Sequence, residues 1–257
     1  MSTVFIRFAA CCGFIASFAS TTLSAASTSN SFDAQGTKIH FLEAGKGEAV
    51  VLIHGLDSSA QINWNLNGVI AELAKDHHVI AFDMPGHGQS DKPDNEKVYG
   101  RQIVTDVALL LDHLQIKQAH IVGYSLGGMV ALNFIATRPD RTLSGTLGGM
   151  GWLRFGSPLQ AFWERLPGRN SGRTPPAFLH TIGQLALTED QVKSIKVPVK
   201  IIVGDRDPVK RLYVTPLQKV RSDWPVAEIA SAGHLNCIIK PQFRDEIANW
   251  IGQNTKK

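Results

Sequence analysis

A chain of 257 residues with 44% hydrophobic side chains is long enough to bury one substantial core. Its 26 Lys and Arg against 22 Asp and Glu leave a formal charge of +4. That excess is small and no basic stripe is interleaved with aromatic residues, which argues against a nucleic-acid-binding role and fits an ordinary solvated exterior.

Residues 1–26 read as a leader rather than as part of the fold. A lone Arg7 precedes an apolar stretch over 8–19, too short to span a bilayer, and small residues follow at Ser24, Ala25 and Ala26. That pattern is a secretory signal peptide, with cleavage expected after Ala25 or Ala26 and an exported product, periplasmic or secreted. Cys11 and Cys12 leave with the leader, so the mature chain keeps only Cys237 and has no intramolecular disulfide. The mature chain, 27–257, is expected to be one domain with no membrane span; its oligomeric state is not legible.

The segment 37–43 alternates after Gln35-Gly36 and predicts a hairpin strand near a sheet edge. The unbroken apolar run over 48–53 predicts a strand covered on both faces, ending at His54-Gly55-Leu56-Asp57. His54 reads as a loop-bracing side chain. Helical spacing through Trp64, Val69, Ile70 and Leu73 predicts a helix over 60–73, and 78–82 is a second buried strand running into a turn-rich stretch with Gly86 and Gly88. Ile103, Val107, Leu110, Leu111 and Leu114 mark an amphipathic helix over 99–114.

The next element organises the chain: an apolar strand from Ala119, then Gly123-Tyr124-Ser125-Leu126-Gly127, then a helix to about Thr137. This fits the G-x-S-x-G elbow, in which a strained strand-to-helix turn lifts the serine hydroxyl above a sheet. The glycines are required where strand and helix approach closely, and the helix N-terminus presents unpaired N–H groups to an oxyanion. Strands over 142–147, 197–203 and 226–230 and a helix over 241–251 complete an α/β alternation, which predicts a mostly parallel central sheet with helices on both faces. Between them, 151–190 breaks the rhythm: Trp152, Phe155, Phe162 and Trp163 crowd with Arg154, Arg165, Arg169 and Arg173.

His54-Gly55, Asp83-x-x-Gly86-x-Gly88-x-Ser90 and Gly123-Tyr124-Ser125-Leu126-Gly127-Gly128 together resemble the α/β-hydrolase fold family over nearly the whole mature chain. The resemblance implies a short cap insertion at about 151–190, where an ordinary helical connection is the alternative. It also implies the chain order Ser125, Asp207, His234 for nucleophile, acid and base, each on a loop after a strand. Asp205 is the rival acid; Asp207 matches the family's position, three residues beyond Gly204 and before Pro208. Backbone N–H groups of Leu56 and Leu126 are the expected oxyanion hole, and Met150 and Trp152 the expected pocket residues, bounding a partly open cleft with a cationic rim. No metal cluster or phosphate-binding loop stands in the sequence, so neither cofactor nor metal is expected. The implied activity is hydrolysis of a small-molecule carboxylic ester. A thioester, lactone, amide or carbon–carbon bond, peracid formation, or a ligand-binding receptor on the same scaffold remain alternatives.

Overall fold

The structure is a computed structural model that describes residues 27–166 and 174–256. The expected leader at 1–26, together with Arg169 and Arg173, lies outside the described residues.

Eight strands form one sheet: β1 (Thr28–Ala34), β2 (Thr37–Ala44), β3 (Glu48–Ile53), β4 (His77–Phe82), β5 (Ala119–Tyr124), β6 (Thr142–Gly148), β7 (Val199–Gly204) and β8 (Val226–Ile229). Their order across the sheet is β1-β2-β4-β3-β5-β6-β7-β8, antiparallel from β1 to β4 and parallel from there on. The helices are α1 (Val69–Leu73), α2 (Arg101–His113), α3 (Leu126–Thr137), α4 (Pro158–Arg165), α5 (Pro176–Leu179), α6 (Glu189–Ser194), α7 (Thr215–Val220) and α8 (Pro241–Asn254).

The unbroken apolar runs serve two cores at once. In β3, Val51 and Ile53 point into one cluster while Val50 and Leu52 point into the other, and β4 divides Ile80 and Phe82 from Val79 and Ala81 in the same way. The first core carries Ile103, Val107 and Leu110 of α2 with Val130 and Phe134 of α3; the second carries Ile70 of α1 with Phe243, Ile247 and Ile251 of α8. The chain passes from β3 to β4 on one side and then returns to β5 on the other. A crevice opens at such a switch point, outside the carboxyl ends of the strands, and here it lies between the ends of β3 and β5.

Three elements differ from the sequence-based expectation. The strand at the sheet edge is β1, whose polar Thr28-Ser29-Asn30-Ser31 stretch is largely exposed and carries no apolar alternation to announce its pairing with β2; a tight turn at Gln35 (φ 56°) and Gly36 (φ 92°) joins them. The helix expected over 60–73 is broken: one wide turn over Gln61–Asn65 is separated from α1 by Gly68 in the left-handed region, φ 71°. The connection between β7 and β8 holds another wide turn, Lys210–Val214, followed by α7, where the spacing carried no clear helical signal. Among the described residues no helix is long and apolar enough to cross a membrane.

Candidate active site

Ser125 sits between β5 and α3 at φ 52°, ψ −119°, a strained conformation for a residue with a side chain. The neighbours leave no alternative to glycine on either side. A Cβ on Gly123 would lie 2.0 Å from the Gly127 carbonyl oxygen, and one on Gly127 would lie 2.1 Å from that of Ile53 at the end of β3. The elbow is further held by Ser125 N–H donating to the Gly148 carbonyl at 2.8 Å.

Ser125 Oγ is 2.8 Å from His234 Nε2, and His234 Nδ1 is 2.8 Å from Asp207 Oδ2. The order Oγ, Nε2, Nδ1, carboxylate aligns a proton path from hydroxyl to imidazole while the acid fixes the tautomer. Asp207 has its side chain fully buried and takes a second bond from Val209 N–H at 2.9 Å. Asp205 faces elsewhere. Its two oxygens accept from Ser231 and Ala232 N–H, each at 3.0 Å, and those backbone bonds hold its carboxyl below the usual range. It therefore braces the loop that carries His234 instead of touching the imidazole.

The two backbone donors expected for an oxyanion hole stand on segments that adjoin Ser125. Leu126 N–H begins α3, where a helix leaves its first N–H groups unpaired. Leu56 follows Gly55, whose added Cβ would stand 3.3 Å from Ser125 Cβ, so the loop after β3 lies against the elbow. Neither Leu56 N–H nor Leu126 N–H donates to another described residue.

The loops are fixed from beneath. His54 is buried, with Nδ1 bonded to the Gly55 carbonyl at 2.7 Å and Nε2 accepting from Met84 N–H at 3.0 Å. Burial lowers its pKa, so it is a neutral brace between the loops after β3 and β4. Asp83 is a buried hub that accepts from Ala60 N–H at 2.7 Å and Gln89 N–H at 2.9 Å and meets His40 Nδ1 at 2.8 Å; a Cβ on Gly88 would strike its carboxylate. The Asp-x-x-Gly-x-Gly-x-Ser stretch is thus structural.

Two supports carried no signal of their own in the sequence. Asn63 Oδ1 accepts the Gly55 N–H at 2.8 Å and holds the loop in place. Tyr124, the variable position of the G-x-S-x-G motif, donates its phenol to the His234 carbonyl and stacks on the imidazole with ring centroids 5.8 Å apart. The Gly148-Gly149 pair at the end of β6 was the available clue, since a Cβ at Gly148 would come within 2.9 Å of the Tyr124 ring. On the same loop as His234, Cys237 is buried and its thiol is pushed up to about 12, mainly by burial.

A cavity of about 330 Å³ begins at Leu56 and runs under α4, lined by Phe162, Trp163, Leu166 and Leu179. Its two polar lining residues, Asp57 and Thr174, are hydrogen-bonded to each other. Met150 and Trp152, the expected pocket residues, lie deeper: they are 4% and 2% exposed, Trp152 Nε1 donates to the Leu187 carbonyl at 2.8 Å, and neither lines this cavity. Residues 150–153 follow the left-handed turn at Gly149 (φ 54°) and are buried, and Arg154 and Phe155 are the first exposed residues of the insert. Trp163 Nε1 donates to Tyr213 Oη at 3.0 Å, tying α4 to the connection after β7.

A model of the α/β-hydrolase fold family matches residues 48–209, and the chain belongs to that family. It is 37% identical over 235 residues to a 2-hydroxymuconate semialdehyde hydrolase of Pseudomonas sp. (strain CF600), covering 86% of this chain and 81% of that protein. It is 31% identical over 182 residues to the dihydrolipoyllysine-residue acetyltransferase component of the acetoin cleaving system of Pseudomonas putida, covering 69% of this chain; the chain spans about half the length of that relative, 47%. Among solved structures, an E-2-(acetamidomethylene)succinate hydrolase superposes with a TM-score of 0.71 at 20% identity, over 88% of this chain and all of the other. The 2-hydroxy-6-oxo-6-phenylhexa-2,4-dienoate hydrolase of Rhodococcus sp. strain RHA1 does so with 0.69 at 22%, over 90% of this chain and 99% of the other. These likenesses establish a shared fold.

Proposed function

We propose that the protein is an exported serine hydrolase acting on carboxylic esters. The observation that carries this reading is the hydrogen-bonded chain from Ser125 through His234 to Asp207, placed at a strained elbow beside two uncommitted backbone N–H groups. Ser125 Oγ attacks the carbonyl carbon as its proton passes to His234 Nε2, and the resulting oxyanion is held by Leu56 and Leu126 N–H. Collapse expels the alcohol, which takes the proton from His234. Water then repeats the sequence on the acyl-enzyme, releasing the acid and restoring Ser125. Asp207 keeps the tautomer and stabilises the imidazolium throughout.

The cavity under α4 is apolar and small, which suits a short or medium acyl or alcohol group. The test is hydrolysis of p-nitrophenyl acetate by wild type and by Ser125→Ala. Turnover lost in the variant supports the reading; turnover retained sinks it, and no turnover in wild type across a panel of acyl compounds sinks it and favours a binding protein on this scaffold. A second reading keeps the same residues for hydrolysis of a carbon–carbon bond. It is supported by the 37% identity to a hydrolase whose named semialdehyde substrate contains no ester. Release of an acid from a vinylogous diketone, with p-nitrophenyl acetate turned over poorly, would select it.

A further inference from the structure

Seven large apolar side chains are exposed among the described residues: Ile62, Leu66, Phe155, Phe162, Leu212, Leu235 and Ile239. All seven belong to connections that leave the carboxyl ends of strands: β3 for the first two, β6 for the next two, β7 for Leu212, and β8 for the last two. None lies on the outer faces of α2 or α8 or on the connections at the opposite end of the sheet. Scattered exposed hydrophobes are ordinary, but here all seven stand between a strand's carboxyl end and the helix that returns the chain (α1, α6, α7 or α8), and Ser125 opens at those carboxyl ends. Leu235 directly follows His234 and is 88% exposed, Ile239 stands four residues further on, and Phe162 lines the cavity that also touches Leu56.

Charge accompanies them. Arg154 precedes Phe155, Arg165 follows Phe162 by three residues, Arg211 precedes Leu212 and Lys240 follows Ile239. None of these four cations is in an ion pair with a described residue. The carboxylates nearest these side chains in the chain are hydrogen-bonded, Asp57 by Thr174, Asp205 by Ser231 and Ala232 N–H, and Glu164 by Gln160 at 2.9 Å, while the exposed Asp94 and Glu96 stand on the connection after β4.

We propose that this edge is a docking surface for an anionic lipid aggregate, such as a bilayer leaflet or vesicle. Isolated apolar side chains from separate loops, each beside a cation, suit a soft surface with apolar depth and anionic headgroups. A protein partner or second copy would call for one continuous, shape-matched patch with few charges at its centre. Seated this way, the protein turns the mouth of the cavity toward the lipid, so an acyl compound reaches Ser125 without crossing water. Only this last clause rests on the hydrolase reading; the docking itself does not.

The test is vesicle co-sedimentation with Ser125→Ala protein, so that hydrolysis plays no part. Phosphatidylcholine vesicles are compared with phosphatidylcholine–phosphatidylglycerol vesicles at low and high salt. Binding is expected to favour the anionic vesicles and to weaken with salt. Arg211→Ala and Lys240→Ala are each expected to lower affinity by roughly fivefold, and Leu66→Ser with Ile239→Ser by on the order of tenfold. Otherwise identical chains are compared, so any contribution from residues 1–26 is common to all. Absence of binding, binding indifferent to lipid charge and salt, or binding unchanged in these variants overturns the proposal. So does a concentration-dependent dimer that the Leu66→Ser, Ile239→Ser chain no longer forms, which would assign the surface to a second copy.

Discussion

Tyr124 Oη donates to the backbone carbonyl of His234, so the residue before the proposed nucleophile carries the loop of the proposed base. The two cannot move apart without breaking this bond and the ring stack above it. Tyr124→Phe keeps the stack and removes the bond. A fall in kcat of about fivefold with KM little changed is expected, from the loss of one hydrogen bond's net stabilisation in the reacting geometry. A change confined to KM would show that Tyr124 acts on substrate binding instead.

The acid is separable from its neighbour two residues away. Asp207→Asn should lower kcat by up to about four orders of magnitude, because the amide favours the wrong imidazole tautomer. Asp205→Asn loosens the bonds to Ser231 and Ala232 N–H and should cost thermal stability while leaving kcat within about tenfold of wild type. Steady-state kinetics on both folded variants decides, and the reverse ranking would make Asp205 the orienting acid.

Stability should depend on pH through Asp106. This residue of α2 is 2% exposed, accepts one bond from Gln102 at 3.0 Å, and has its carboxyl pushed from 3.8 up to about 7 by burial. The folded protein holds this proton more tightly than the unfolded chain does. Its stabilising contribution is whole below about pH 4 and is lost as pH rises toward 7. Urea midpoints of Asp106→Asn should therefore gain on wild type between pH 5 and 7 and run parallel above; a constant gap throughout would disprove the assignment.

Two glycines should respond oppositely to the same methyl group. Gly127→Ala forces a Cβ to 2.1 Å from the Ile53 carbonyl oxygen, backbone against backbone, and should yield little folded protein. Gly252 in α8 has nothing within 4 Å of an added Cβ, and Gly252→Ala should stabilise by about 0.5–1 kcal/mol in denaturant titrations.

Export is a prediction from residues 1–26 alone. N-terminal sequencing of the product from an exporting host should begin at Ala26 or Ser27, and a product retained in the cytoplasm with its leader intact would refute it.

Where one local rule governed a segment, the sequence was readable. β3 was legible because both faces are covered and its apolar run from Ala49 to Ile53 carries no interruption. The elbow was legible because close approach at Gly123 and Gly127 admits one residue type. Ser125, Asp207 and His234 come together because parallel strands deliver their following loops to one edge, a consequence of topology that chain order reveals. What stayed hidden depended on partners far along the chain. The β1 strand is polar where it is exposed and pairs only through β2, Tyr124 is fixed by the His234 carbonyl 110 residues on, and Trp152 is buried against the Leu187 carbonyl.

Cys237 offers a clock for the loop it shares with His234. It is the only cysteine among the described residues, it is buried, and its thiol at about 12 is almost wholly protonated near neutrality. An aromatic disulfide reagent can therefore modify it only after the segment swings outward, and the slow rate of colour development counts those excursions. A phosphonate that bonds Ser125 and engages His234 should stretch the interval between them, so one native sulfur reports on the motion of the site without any label being introduced.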